Sequence, residues 1–312
     1  MTRKRKVRDY LTLRQGRKWH QFGRVIAEHD DDLDELYVAR DRFVDRALDA
    51  NDPAIFFLGP KGVGKSAILQ MVRIERASDA PRLINISPDD LAFSALANIE
   101  PSTPILSTPT QHQWLFKSLW DYVLSAEVLS REYGKQDGWR SALDNIMKRI
   151  LGGKERDEAK RLLRISLGAD GAPQTLTQRM IDLIKEVEVK VGPVSLEMRR
   201  GGGSKSGQLK LLSQINSVAK EIPSLLRHQY YVLIDDLDLH WVNAPVQNEF
   251  LAALFTSLRK MNHPQCLRFL VAMRDDIYSQ LPVVDKDKVN DAISQVRWDK
   301  TTVKRMIGKR IT

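Results

Sequence analysis

Three short, continuous apolar runs stand out along the chain, and each has the length of a buried β-strand. They cover residues 54–58, 230–234 and 269–273, and each is followed by a glycine or a charged residue. Strands that are buried on both faces of a parallel sheet have this continuous pattern, whereas strands with one solvated face alternate. Residues 82–87 predict one more strand.

Apolar residues recur at helical spacing in the segments around these strands. The face that contains Trp114 and Trp120 is the strongest, and we expect both indoles to anchor a core. Strands separated by amphipathic helices predict an α/β fold, here a three-layer sandwich with a mainly parallel sheet. The predicted helices cover residues 33–47, 67–72, 114–126, 139–151, 155–166, 174–189, 209–222 and 296–311.

The order of these patterns divides the chain into parts. Residues 31–100 and 225–295 together form the predicted α/β core, and residues 101–224 interrupt it as a large, mainly helical insertion. Residues 1–30 form a basic N-terminal arm. Residues 296–312 are expected to begin a C-terminal lid or a further domain that is cut off at Thr312.

The turn after the first predicted strand carries the clearest chemical signal. Residues 59–66 fit the pattern G-x-x-x-x-G-K-[ST], between a strand and a helix. Its glycines allow the main chain to wrap phosphate oxygens, and the N–H groups at the helix start attract the same anion. Lys65 is expected to reach the β- and γ-phosphates, and the Ser66 hydroxyl to hold Mg²⁺. The expected nucleotide-binding residues are Gly59, Pro60, Lys61, Gly62, Val63, Gly64, Lys65, Ser66 and Ala67.

Two carboxylates follow the second apolar run. Asp235 and Asp236 come directly after residues 230–234, and the C-terminal ends of parallel strands are where open α/β sheets bind ligands. Given the phosphate-loop pattern upstream, we assign Asp235 to the Mg²⁺ shell and Asp236 to orienting or deprotonating the attacking water. The alternative is that the pair caps a turn after a core strand.

Arg274 follows the third run and is expected at the same edge of the sheet as Asp235. A cation there can contact the γ-phosphate and stabilise charge in phosphoryl transfer, which makes Arg274 a candidate catalytic residue. A salt bridge to Asp275, to Asp276 or to the acidic end of the strand at residues 230–234 is an equally good interpretation of the sequence.

Composition and charge narrow the class of protein. The chain has 312 residues, of which 42% are apolar, and this suits one large globular domain or two. Cys266 is the only cysteine, so an internal disulfide is impossible and a reducing, cytoplasmic location is expected. No apolar stretch reaches the length of a membrane span. The net charge of +9 is concentrated in residues 3–24 and 297–310, which are expected either to bind nucleic acid or another acidic partner, or to be solvated.

Four segments in this order resemble P-loop ATPases of the additional-strand class, and most closely the bacterial STAND and KAP-like ATPases of anti-phage defence systems. The resemblance rests on residues 59–66, 86–90, 231–238 and 271–278, and the closing residues 296–311 are similar to the start of a lid. It covers the predicted core and the final helix, and it does not extend to the helical insertion or the basic arm.

This resemblance implies an Mg²⁺-dependent ATPase whose nucleotide state controls assembly or an attached effector. The implied partners are ATP, further copies of the chain and an effector protein such as a nuclease or toxin encoded nearby. Many such ATPases have glutamate at the position of Asp236, which is one methylene shorter, so slow or partner-dependent hydrolysis is expected. Two alternatives remain open: a nucleotide-gated scaffold with little hydrolysis, and a nucleic-acid-dependent ATPase. The implied roles are phosphate and metal binding for Lys65 and Ser66, metal binding for Asp235, water activation for Asp236 and γ-phosphate contact for Arg274.

Overall fold

The computed structural model describes residues 27–30, 33–87, 109–133, 215–217, 219–237, 244–282 and 289–311. The predicted N-terminal arm up to residue 26 and the predicted helices over 139–151, 155–166 and 174–189 lie outside the described residues.

The strands form one sheet in which every neighbouring pair is parallel. The order across the sheet is β2-β3-β4-β1-β5. Strand β4 therefore lies between β1 and β3, the strands that precede the glycine-rich loop and the paired aspartates. The predicted α/β fold with a parallel sheet is confirmed at this level. The strands are β1 (Phe56–Gly59), β2 (Leu83–Ile86), β3 (Tyr230–Ile234), β4 (Leu267–Arg274) and β5 (Ile293–Gln295).

The described helices connect these strands, and none of them is both long and apolar enough to cross a membrane. Helical residues 219–225 overlap the end of the helix predicted over 209–222. Short 3-10 segments occupy Ala27–His29, Ala77–Arg82 and Asn290–Ala292, and a π-helical segment occupies Arg40–Val44. The α-helices are α1 (Leu33–Leu36), α2 (Asp45–Leu48), α3 (Lys65–Glu75), α4 (Pro109–Tyr133), α5 (Ala244–Met261), α6 (Asp275–Gln280) and α7 (Lys300–Ile311).

One face of the sheet packs against α3 and the short N-terminal helices. Successive residues of a strand point to opposite faces, and on this face Phe57 and Leu233 pack with Ile68 and Val72 of α3. Phe43, from the π-helical segment before α2, belongs to the same cluster. The apolar helix face predicted over residues 67–72 is therefore present, and it packs α3 against β1, the strand that precedes it.

The other face packs against α4 and α5. Phe56 of β1 stacks on Phe255 of α5, with ring centroids 3.8 Å apart. Trp120 of α4 is fully buried, stacks on Phe250 at 4.6 Å and donates its indole N–H to the Phe250 carbonyl at 2.9 Å. The prediction of Trp120 as a core anchor is confirmed, and Trp114 packs half-buried at the edge of the same cluster. Helices thus cover both faces of the sheet.

The structure differs from the sequence predictions at several elements. The single helix predicted over residues 33–47 is broken at residues 37–39, and the break places both Val38 and Ala39 in the core. Strand β5 and helix α5 were not predicted. Val296 and Trp298 were predicted as part of the last helix, but they precede it, since α7 begins at Lys300.

Arg268 is a fully buried arginine in the second position of β4. Its guanidinium donates to the carbonyl oxygens of Ala47 at 2.7 Å, Asp52 at 2.9 Å and Arg46 at 3.0 Å. The last carbonyls of a helix have no partner within the helix, and cationic side chains satisfy them well. Arg268 therefore fixes the end of α2 and the turn that leads into β1.

Replacing this arginine tests its structural role. Arg268→Met is expected to lower the free energy of unfolding by about 3 kcal/mol, because three carbonyl groups lose a charged donor. Urea denaturation followed by circular dichroism measures the change. Arg259→Met, on the exposed last turn of α5, is the matched control and should stay within about 0.5 kcal/mol of the parent. Equal effects of the two substitutions would contradict the assignment.

Candidate functional site

The glycine-rich loop connects β1 directly to α3. Gly62 and Gly64 have φ values of 79° and 94°, in the left-handed region where a side chain is strained. Gly64 is also the N-cap of α3, where it supplies no side-chain cap to the first turn. The N–H groups at the start of α3 are therefore not capped by their own N-cap residue, which is the arrangement that attracts an anion.

Lys65 folds back over this loop. Its ammonium group donates to the carbonyl oxygens of Gly59 at 3.0 Å and Pro60 at 2.9 Å. The positive charge is therefore held beside the loop main chain, in a residue that is half-buried. A lysine here provides a compact, mobile point charge for an anion that binds in the loop.

Asp235 and Ser66 meet although they are far apart in the sequence. The Ser66 hydroxyl lies close enough to the Asp235 carboxyl group to lower its pKa. The Asp235 N–H donates to the Ile86 carbonyl at 3.1 Å, which holds the aspartate at the end of β3 against β2. Two oxygen ligands predicted for Mg²⁺ are thus brought together at the C-terminal edge of the sheet.

The electrostatic setting of Asp235 is unfavourable for its charged form. Burial is the main cause that raises its pKa from 3.8 to about 6, and the nearby charges of Asp236 and Glu28 act in the same direction. The hydrogen bond from the Asp236 N–H, 3.0 Å long, and the nearby Ser66 hydroxyl oppose this shift. A cation bound beside Asp235 would offset the cost of burying its charge.

Asp236 has a different environment, because it is exposed to solvent. Its φ of 57° is the one positive value among the non-glycine residues that the structure describes. The Ser87 hydroxyl, directly after β2, donates to its carboxylate at 3.1 Å. A non-glycine residue in this backbone region is held there by its surroundings, and such residues cluster at functional sites. Ser87 was not predicted individually, although the sequence shows a hydroxyl directly after a strand.

Arg274 lies at the same edge, opposite Gly59 in the β1–β4 register. Its guanidinium binds both carboxylate oxygens of Asp276, with the Nε–Oδ1 contact at 2.9 Å. This hydrogen bond is the main cause that lowers the pKa of Asp276. The salt bridge to Asp276, one interpretation of the sequence, is therefore formed. Arg274 also lies at the edge of the sheet that the other interpretation, contact with the γ-phosphate, requires.

The start of the loop is also confined by the chain that follows β5. A Cβ atom at Gly59 would lie 2.6 Å from the Val296 carbonyl oxygen and 2.9 Å from Cγ1 of Val63. Only glycine fits this close approach without a backbone shift. The sequence could not show it, because the requirement depends on a segment more than 200 residues away.

The residues fit a magnesium–nucleotide complex in their chemistry. Within the residues that the structure describes, no group of three or more His, Cys, Asp or Glu side chains could hold a metal ion. Mg²⁺ bound together with a nucleotide takes only one or two protein ligands and completes its shell with phosphate oxygens and water. The Ser66 hydroxyl and the Asp235 carboxylate supply that number.

No family model, no curated protein and no solved structure matches this sequence.

The raised pKa of Asp235 leads to a prediction about pH. The folded protein binds the Asp235 proton more tightly than the unfolded chain does, so stability falls as the pH rises from 3.8 to about 6, and the loss is complete above that range. Asp235→Asn mimics the protonated form, and it should raise the free energy of unfolding by about 1–3 kcal/mol at pH 8 without Mg²⁺.

This gain should disappear near pH 4, where the parent carboxyl group is itself largely protonated in the folded state. Thermal unfolding at both pH values measures it. Asp34→Asn, an exposed carboxylate in α1, is the control and should change little at either pH. A gain at pH 4 as large as that at pH 8 would be evidence against the buried charge as its cause.

Proposed function

We propose that this chain is an Mg²⁺-dependent ATPase of the P-loop type that uses ATP binding and hydrolysis as a regulatory switch or an assembly motor. The observation that carries the proposal is that the Ser66 hydroxyl lies close enough to the Asp235 carboxyl group to lower its pKa. The helix start after a glycine-rich loop thus meets a carboxylate at the end of another parallel strand. These two groups have the chemistry of the ligands by which P-loop enzymes hold the nucleotide's metal ion.

The sheet order supports the additional-strand class that the sequence resembles. An extra strand, β4, is inserted between β1 and β3. The loop after β1 and the aspartate after β3 then approach one another across the end of β4, where Arg274 lies. Ligands in open α/β sheets bind at this edge, outside the carboxyl ends of the strands.

The loop itself would bind the phosphates. The N–H groups around Gly62 and Gly64 and at the start of α3 would donate to the phosphate oxygens. Lys65 would exchange its bonds with the Gly59 and Pro60 carbonyls for bonds with the β- and γ-phosphates, at little cost because both states are hydrogen-bonded. Mg²⁺, held by Ser66 and Asp235, would supply charge neutralisation between the phosphates.

Proton transfer would fall to Asp236. Its exposed carboxylate, oriented by Ser87, would accept a hydrogen bond from the attacking water and take its proton. Arg274 would contribute positive charge at the γ-phosphate, which requires that it share or leave the carboxylate of Asp276. Asp236 is one methylene shorter than glutamate, and Arg274 is already bound to Asp276. Both features favour slow turnover, which a partner could accelerate.

The biological setting is part of the same proposal. The resemblance to STAND and KAP-like ATPases supports a bacterial anti-phage defence complex in the cytoplasm, in which copies of this chain assemble and act on an effector protein. The exposed surface of the site, at Asp236 and Asp276, leaves room for a residue from such a partner. A scaffold that binds ATP tightly but hydrolyses little is the variant of this proposal that the shorter aspartate supports.

Substitution of the loop lysine tests the proposal. Lys65→Ala is expected to weaken Mg·ATP binding and turnover by about 100-fold or more, because it removes a preorganised charge at the phosphates. Lys220→Ala is the control and should stay within a few-fold of the parent, since Lys220 is exposed and its helix neighbours Ala219 and Ile222 pack on the sheet face opposite α3. Calorimetric titration and phosphate release are the measurements.

Asp236→Ala separates hydrolysis from binding in the same experiment. It should abolish most of the turnover and leave Mg·ATP affinity nearly unchanged. A fully active Lys65→Ala protein would rule out the loop as the ATP site. Tight ATP binding by the parent without any turnover would favour the scaffold.

Helix α7 supports a second candidate function, a nucleic-acid-dependent ATPase. No acidic residue occurs between Lys300 and Ile311, and Lys300, Lys304 and Arg305 are exposed. Such a cationic face is suited to the phosphate backbone of nucleic acid. If this function is present, DNA should stimulate turnover at low salt, and Lys304→Gln with Arg305→Gln should remove the stimulation. Turnover that is insensitive to DNA and RNA at low salt would eliminate it.

A further inference from the structure

Trp298 contacts the middle of the phosphate loop, although no sequence pattern links the two. Its indole N–H donates to the Val63 carbonyl at 2.6 Å. A Cβ at Gly64 would lie 3.8 Å from Cζ2 of Trp298, which is ordinary contact distance. The ring is half-buried and packs with Val63 against the α3 face of the sheet.

The chain just before Trp298 is fixed to β1. The Val296 N–H donates to the Leu58 carbonyl at 2.7 Å, and the Val296 carbonyl closes over Gly59. One segment therefore restrains the loop at two points, at its start through Val296 and at its middle through Trp298.

The chain just after Trp298 is equally restrained. The Asp299 carboxylate accepts hydrogen bonds from the Thr302 N–H at 2.7 Å and the Thr302 hydroxyl at 3.0 Å, which caps α7. Its other oxygen forms a 3.0 Å ion pair with Arg42, before α2. Trp298 is thus anchored on both sides, so its indole has a defined position relative to the loop.

The direction of the Val63 carbonyl matters for any anion in the loop. In a trans peptide the C=O of one residue and the N–H of the next point in opposite directions. A donor that holds the Val63 carbonyl towards Trp298 therefore points the Gly64 N–H away from Trp298. If this peptide flipped, the Val63 carbonyl oxygen would take the place of the Gly64 N–H in the loop. The oxygen would repel phosphate, whereas the N–H can donate a hydrogen bond to it.

We propose that Trp298 is a positioning residue of the phosphate loop, whose indole N–H fixes the Val63–Gly64 peptide in the orientation that receives phosphate. The inference rests on the proposed nucleotide function, and it adds a specific requirement for this side chain, which lies outside the loop pattern. Preorganisation is the physical basis, because a loop already held in its binding conformation loses less entropy when the ligand binds.

Two substitutions separate the hydrogen bond from simple packing. Trp298→Phe keeps an aromatic ring and removes the donor. Trp298→His loses ring volume and keeps an N–H at the equivalent position of the five-membered ring. Trp114→Phe is the matched control, because Trp114 is also half-buried but packs on the opposite face of the sheet.

Hydrogen–deuterium exchange of the full chain, without nucleotide, tests the positioning directly. In Trp298→Phe, amide exchange in residues 59–66 should be about tenfold faster than in the parent, which corresponds to the loss of one hydrogen bond. Exchange in β3 should be unchanged in all variants. Trp298→His should restore slower exchange in the loop than Trp298→Phe, and Trp114→Phe should match the parent.

Calorimetric titration with Mg·ATP follows on the same proteins. The dissociation constant should rise about tenfold in Trp298→Phe and recover partly in Trp298→His, since the hydrogen bond carries the effect. Unchanged loop exchange in Trp298→Phe would overturn the inference, and so would an equal acceleration in the loop and in β3. Faster loop exchange in a protein whose parent form binds no ATP would leave the positioning intact and reject the nucleotide function.

Discussion

Parallel pairing of the strands is the constraint on which the candidate site depends. A parallel sheet places the C-terminal ends of its strands at one edge, so the residues that follow each strand meet there whatever their separation in the sequence. Gly59, Ser87, Asp235 and Arg274 each end or directly follow a different strand. The buried contacts on both faces fix the register between these strands, and the register in turn fixes the distances within the site.

Several groups of the site are energetically unfavourable in the folded protein when no ligand is bound. Asp235 is half-buried with its pKa raised, next to the Ser66 hydroxyl, and two further acidic residues lie close enough to raise its pKa further. Asp236 occupies a backbone region that favours glycine. Such features cost folding free energy, and proteins retain them at positions where a ligand or a reaction uses them. Under the proposed function, a metal–nucleotide complex would supply positive charge beside Asp235.

Much of the fold and of the candidate site could be predicted from local sequence. The features that were not predicted are set by contacts between residues that are distant in the sequence. Buried strands with continuous apolar runs, such as Tyr230–Ile234, were predicted because their pattern needs no tertiary information. The three-residue strand β5 is too short to show a pattern, and it forms only because β1 offers a free edge for pairing. The break at residues 37–39 and the close approach of Val296 to Gly59 are likewise set by packing. The sequence allowed Arg274 to contact either a γ-phosphate or a nearby aspartate. The ion pair that it forms with Asp276 depends on side-chain geometry, which the spacing of residues along the chain does not determine.

We propose that the loop and Asp235 form one metal-dependent nucleotide site. A crystal structure of the chain with Mg²⁺ and a non-hydrolysable ATP analogue is the decisive experiment. We expect the triphosphate in the loop at residues 59–66, with Lys65 moved from the Gly59 and Pro60 carbonyls to the phosphates. We also expect Mg²⁺ at about 2.1 Å from the Ser66 hydroxyl and bound to Asp235 directly or through water. Nucleotide bound elsewhere, or Mg²⁺ that contacts neither residue, would show that the two do not form such a site.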